Sequence, residues 1–153
     1  MRAISVRLAQ ADDLVAVLQL HAHNRPADEA MTALIAPTAL QKDTWTQMLA
    51  TENLAVYVAD AGQVVGTATM LTMPNLGYDC RPSAFIEAMV VAPTHRRRGV
   101  GRLLVERALA DAGANGCHKI QLLTHKRHAH DGAHDFYRSM GFTPEAEGFR
   151  FYL

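Results

Sequence analysis

Four features of this 153-residue chain have residue types and spacing suited to chemistry. Arg96-Arg97-Arg98-Gly99-Val100-Gly101 joins a strand-like run to a helix-like one. Glu87 interrupts that strand run, which is otherwise apolar from Phe85 to Val91. Tyr137 lies on a helical stripe that stops at Gly141-Phe142, and His125, His128, His130 and His134 crowd the segment around its start. The basic turn is the most informative of these. The first N–H groups of a helix lack internal partners and carry partial positive charge, so a strand feeding through such a turn makes an anion site. A solvated arginine face with glycines easing a turn has the same appearance. The turn lacks the Gly-Lys-Ser/Thr ending of a P-loop, and Leu104 stands where the last glycine of a dinucleotide fingerprint belongs.

A carboxylate inside an apolar strand is costly to bury unless something uses it. Glu87 is therefore either a proton acceptor or an edge-facing or ion-paired surface group. A phenol with a pKa of about 10 is protonated at pH 7 and can donate, which is the chemistry open to Tyr137. Periodicity by itself also fits a core aromatic there. The histidines show no recognised ligand spacing, so no metal is expected.

These groups need elements to position them. Ile4 to Leu8 alternates as a first strand, and Asp12 is a candidate cap for a helix with the stripe Leu14, Val17, Leu18, His21. A short helix is expected at Asp28 to Ile35, between Pro26 and Pro37, and a further helix over Leu40 to Ala50. Leu54 to Ala59 and Val64 to Met73 form a hairpin through Asp60–Gln63. With the Phe85–Val91 run they make three antiparallel strands. Strict alternation puts Phe85, Glu87, Met89 and Val91 on one face of that run and Ile86, Ala88 and Val90 on the other. Val100, Leu103, Leu104 and Ala108 mark a helix ending near Asn115-Gly116. Lys119 to Leu123 is a strand, Ala133, Phe136, Tyr137 and Met140 mark a helix, and Gly148 to Leu153 is a last strand. The order predicts an α/β fold, a mixed, mostly antiparallel central sheet with helices on both faces. By length it is a single domain over residues 1–153.

The Arg96–Gly101 pattern R-x-x-G-x-G directly after Val90-Val91, followed by Phe136-Tyr137-Arg138-Ser139-Met140-Gly141-Phe142, resembles the GNAT superfamily of acyl-CoA N-acyltransferases. The resemblance implies acetyl-CoA as cosubstrate and the acyl-CoA N-acyltransferase fold over the whole chain. It implies that Met89, Val90 and Val91 hold the pantetheine arm and that Arg96, Arg97, Arg98, Gly99, Val100, Gly101 and Arg102 hold the pyrophosphate. It further implies Tyr137 as the acid toward the departing thiolate and Glu87 as the group that deprotonates the amine. His130 stands where many members have asparagine, seven residues before the tyrosine; it can donate the same hydrogen bond and also titrate near neutrality.

Gly116 to Ile120 and the aromatic tail are similar to small-molecule members such as glucosamine-6-phosphate N-acetyltransferase. The implied function is an N-acetyltransferase acting directly, in a ternary complex, on a small amine such as an amino sugar, polyamine or amino-acid derivative. A non-catalytic CoA-binding regulator or sensor is the alternative. Dimerisation through the aromatic tail is a further expectation, because Phe149, Phe151 and Tyr152 on an exposed strand are a pairing hazard.

Composition narrows the partners. The formal net charge is zero, with 49% hydrophobic and 20% charged residues, so bulk attraction to nucleic acid or membrane is not indicated. Two cysteines make no disulfide framework, and the start of the chain lacks a signal-peptide core; a cytoplasmic protein is expected.

Overall fold

Runs of β-branched and apolar residues close into five strands. The computed structural model, which describes residues 3–23 and 36–153, sets them in one sheet in chain order. They are β1 (Ser5–Leu8), β2 (Leu54–Asp60), β3 (Val64–Met73), β4 (Ser83–Val91) and β5 (Lys119–Leu122). Strands β1 to β4 pair antiparallel. β5 takes its place beside β4 after a helical crossover, α3 (Val100–Ala114). Among the described residues, helices α1 (Leu14–Ala22), α2 (Ala39–Ala50) and α4 (Ala133–Ser139) join it, beside a one-turn segment at Gly77–Cys80. The helix expected at Asp28 to Ile35 lies outside the described residues. The chain divides into two compact units, Met1–Gln121 and Leu122–Leu153.

Register assigns the faces, because directly paired residues project to the same side of a sheet. Val56 and Val58 share a core with Leu14 and Val17 of α1 and Trp45 of α2, which puts those helices on one face. On the other face Tyr57 donates its hydroxyl to Asp111 Oδ2 of α3 at 2.8 Å, and Asp111 also accepts from Arg107 Nε. The mixed sheet therefore carries helices on both faces, as the element order predicts.

Local capping differs from expectation at α1. Asp12 is exposed, whereas Asp13 is buried, accepts the Gln10 N–H at 2.7 Å and takes both terminal nitrogens of Arg7 at 2.7 and 2.9 Å. That guanidinium holds the Asp13 carboxyl below the usual carboxylate range. The buried stripe of α1 is Leu14, Val17 and Leu20, while His21 is only half-buried. α2 begins in a reciprocal box in which Gln41 N–H donates to Thr38 Oγ1 and Thr38 N–H donates to Gln41 Oε1. α3 ends as Asn115-Gly116 predicts, with Cys117 N–H bonded to Ala112 O and Gly116 N–H to Gly113 O.

In the second unit the expected last strand is not formed. Residues 148–153 have no strand assignment, and Phe149, Phe151, Tyr152 and Leu153 are exposed. Alternating aromatic residues give a segment strand propensity, but a strand exists only when a neighbour accepts its ladder bonds.

A tight constraint between the sheet and α3 is at Gly66 on β3. A Cβ there would sit 2.9 Å from Val100 Cγ1 and 3.2 Å from Leu104 Cδ1, both side chains being essentially fully buried. Gly66→Ala should overpack this contact and lower stability by about 1–3 kcal/mol. Urea unfolding should show a lower midpoint with an unchanged slope, and an unchanged midpoint would mean that α3 lifts freely.

Candidate active site

The centre of the site is an irregularity in β4. Thr69 pairs with Glu87 and Thr67 with Val90, so Ala88 and Met89 together face one residue of β3, Ala68. This is a β-bulge, and Ala88 sits in the left-handed region at φ 53°. A side chain there costs about 1–2 kcal/mol. The bulge overturns the strict alternation of the sequence reading. Val90 shares a face with Glu87, and Val91, paired with Gly66, turns to the α3 face. Ile86 stays on the α3 face, while the Ala88–Met89 backbone loses its regular ladder partners.

Glu87 is exposed, so its carboxylate keeps contact with water and does not carry the cost of burial. Its side chain makes no ion pair or hydrogen bond among the described residues. The face it occupies is the one covered elsewhere by α1 and α2, and the strands there carry Thr69, Leu71 and Phe85 beside it.

β4 ends at Val91, and a 3-10 turn, Pro93–His95, leads into the basic loop. Arg96 Nε donates to Val91 O at 3.3 Å, folding the loop back on the strand. Arg97 adopts φ 61° and Gly99 φ 82°. A Cβ at Gly99 would meet nothing within 4 Å, so glycine is needed there for conformation and not for space. The first i→i−4 bond of α3 runs from Leu103 N–H to Gly99 O at 3.0 Å. The N–H groups of Val100, Gly101 and Arg102 precede it and have no helical partner. Arg96, Arg97 and Arg98 are exposed and make no ion pair among the described residues, while Arg102 lies 3.8 Å from Glu106. Exposed cations, unpaired N–H groups and the positive helix end form a cradle whose donor set fits a diphosphate.

The first unit thus brings Glu87, Met89, Val90, Val91 and Arg96 to Arg102 into one strand, turn and helix entry. His130 and Tyr137 belong to the second unit. His130 is exposed at the end of a 3-10 segment, Lys126–His130. Asp131, just before the N-cap Gly132 of α4, accepts the Ala133 N–H at 3.1 Å and also pairs with His128 Nδ1. α4 closes with Phe142 N–H on Tyr137 O and Gly141 N–H on Arg138 O, Gly141 taking φ 90°. Phe142 then packs edge-on against Tyr137, with centroids 5.9 Å apart, so the Gly-Phe pair is the cap that clamps the tyrosine ring. Burial pushes the Tyr137 phenol up to about 12. No group of three or more metal-capable side chains occurs among the described residues.

Sequence reasoning missed the bulge, since Ala88 carries none of the glycine signal that marks many bulges. It also missed a stack at the start of β4, where the Tyr78 and His118 rings lie 3.8 Å apart and 17° from parallel. Tyr78 stands in a one-turn helical segment, Gly77–Cys80, that winds left-handed through Tyr78 and Asp79.

Comparison with known proteins agrees with this layout. The family described as Acetyltransferase (GNAT) family matches residues 14–142. A presumed acetyltransferase from Agrobacterium tumefaciens str. C58 superimposes with a TM-score of 0.86 at 35% identity, over 97% of this chain and 99% of that one. A transcriptional regulator from Bacillus halodurans C-125 gives a TM-score of 0.89 at 25% identity, over 99% and 100% of the two chains. Glucosamine 6-phosphate N-acetyltransferase from Trypanosoma brucei brucei is 28% identical over 81 residues, which span 53% of this chain and 52% of that protein.

The raised phenol gives a direct spectroscopic expectation. In an ultraviolet titration, Tyr137→Phe should leave the phenolate absorbance gained below about pH 10.5 unchanged, because Tyr137 is still protonated there. A smaller gain in the variant over that range would mean that burial does not hold the Tyr137 phenol protonated.

Proposed function

Since the chain belongs to the GNAT acetyltransferase family, we propose that it is an acetyl-CoA-dependent N-acetyltransferase acting on the primary amine of a small molecule. The observation that carries this reading is the continuity of Glu87, the Ala88 bulge and the Arg96–Gly101 cradle along one strand and helix entry. Acetyl-CoA supplies an activated acyl group as a thioester. The α3 N–H groups and the arginines bind its diphosphate, and the Met89–Val91 backbone aligns the pantetheine arm. Free polar groups at the bulge polarise the thioester carbonyl.

Glu87 takes one proton from the substrate ammonium, directly or through water. The neutral amine then forms the new C–N bond as the C–S bond breaks, the amide nitrogen releases its second proton to water, and the thiolate takes up a proton. Tyr137 is the proposed donor of that proton, a role supported by its protonated phenol and its clamped ring. Direct attack in a ternary complex needs no covalent enzyme intermediate. Exposed aromatic residues at 149–152 support self-association as a further part of the proposal, to be read by sedimentation.

Calorimetry with acetyl-CoA and thiol release on an amine panel test the reading together. Gly101→Val should weaken acetyl-CoA binding by crowding the phosphate, and unchanged affinity would remove the cradle assignment. Glu87→Gln should lower turnover by about 10²-fold near neutral pH and by less at alkaline pH, where more of the amine is already free. A defect independent of pH would make Glu87 a substrate-positioning group. The likeness to a structure described as a transcriptional regulator favours a second reading, CoA binding without turnover. Tight acetyl-CoA binding with no thiol release on any amine would select it.

A further inference from the structure

The sheet face that carries Glu87 also carries apolar surface that remains open to solvent. Leu71 pairs with Phe85 and Met73 with Ser83, so all four project on the same side as Glu87 and Thr69. Leu71 and Met73 are 41% and 43% exposed, and Phe85 is half-buried. On the opposite face the neighbouring Met70, Ala84 and Ile86 are buried. A rise of about 3.3 Å per residue puts Phe85 about 7 Å and Ser83 about 13 Å from Glu87. The far end is closed by the Tyr78–His118 stack, which Ser83 Oγ meets at His118 Nε2, 3.1 Å away. Arg81 ties the Tyr78 turn down by donating to Gly116 O at 3.3 Å and Cys117 O at 3.0 Å.

We propose that this strip seats the body of the acceptor, and that the acceptor is an amine with an apolar, arylalkyl-type body instead of a polyhydroxylated sugar. Leu71, Met73 and Phe85 are then specificity-determining residues. The inference rests on the acetyltransfer reading above, which puts the amine at Glu87. Charge complementarity fixes one end, since an ammonium meets an exposed carboxylate that has no other ion pair among the described residues. Apolar surface fixes the other. Among the described residues of β3 and β4 on this face between Glu87 and the stack, Thr69 supplies the available polar side chain, because Ser83 is buried and engaged by His118. A hydroxyl-rich body would lose hydration there without regaining hydrogen bonds, while an arylalkyl body would remove apolar surface from water on both partners.

The test compares 3-phenylpropylamine, ethylamine and glucosamine as acceptors, reading thiol release from acetyl-CoA, for the wild type and the double variant Leu71→Asn/Met73→Gln. Both positions are exposed, and a thermal melt checks that the variant is folded. The wild type should prefer 3-phenylpropylamine to glucosamine by at least about 10-fold in kcat/KM. The double variant should lose about 10-fold on 3-phenylpropylamine, stay within about two-fold on ethylamine, and keep its KM for acetyl-CoA. Preference for glucosamine, or an equal loss on ethylamine, would overturn the strip and leave the acetyltransfer reading standing. If no amine releases thiol, calorimetric titration of 3-phenylpropylamine into the CoA-saturated protein decides. Binding weakened about 10-fold in the double variant would uphold the strip while ending the transfer reading, and absence of binding would overturn the strip.

Discussion

One extra residue in β4 governs everything that bears on chemistry in the first unit. Without the Ala88 bulge, Glu87 and Val90 would point to opposite sides of the sheet, and the strand would continue its ladder to β3 without a gap. With it, the strand keeps Ile86 under α3, holds Glu87 on the open side, and still delivers Val91 to the α3 side, where Gly66 lets the helix come close. A bulge built on alanine carries steric strain that a glycine would avoid. It persists because residues on both sides are fixed by register and burial, which is how local strain is tolerated where structure over-determines it.

The two motifs on which the family resemblance rests turn out to have separate physical bases. At the basic loop the glycine is conformational: Gly99 has empty space around its Cα hydrogen and a backbone that turns the chain into α3. At the Gly-Phe pair the glycine ends a helix and lets the following aromatic ring fold back onto Tyr137. The first arrangement leaves backbone donors unsatisfied, and the second satisfies the last carbonyls of its helix. Opposite treatments of a helix end therefore serve binding in one place and rigidity in the other.

Much of this was legible in the chain. The first five strands, the Asp60–Gln63 hairpin, the helix after Gly99 and its Asn115-Gly116 end follow from periodicity and turn chemistry, and the structure has them. The bulge was not legible, since nothing about Ala88 distinguishes it from a regular strand residue and only pairing with β3 exposes the extra position. Asp12 and Asp13 are chemically alike, and the choice between them was made by Arg7, which local pattern cannot see. The tail misled because Phe149, Phe151 and Tyr152 encode strand preference without encoding a partner. Leu71 and Met73 did leave a trace: the β3 parity that carries Thr67 and Thr69 turns apolar at Leu71 and Met73, where a solvated face would have stayed polar.

The left-handed run Tyr78-Asp79-Cys80 has a consequence for anyone seeking to make this protein more robust. Three successive side chains at φ 53°, 57° and 60° mark the turn as a place where sequence and backbone disagree. Glycine would relieve the steric cost but would also enlarge the ensemble of the unfolded chain, and the two effects are of similar size, about 1 kcal/mol per residue. At Tyr78 the exchange would also remove the ring stacked on His118. Heat tolerance is thus better sought away from this turn, whose disfavoured backbone is the means by which an aromatic side chain reaches the end of the sheet.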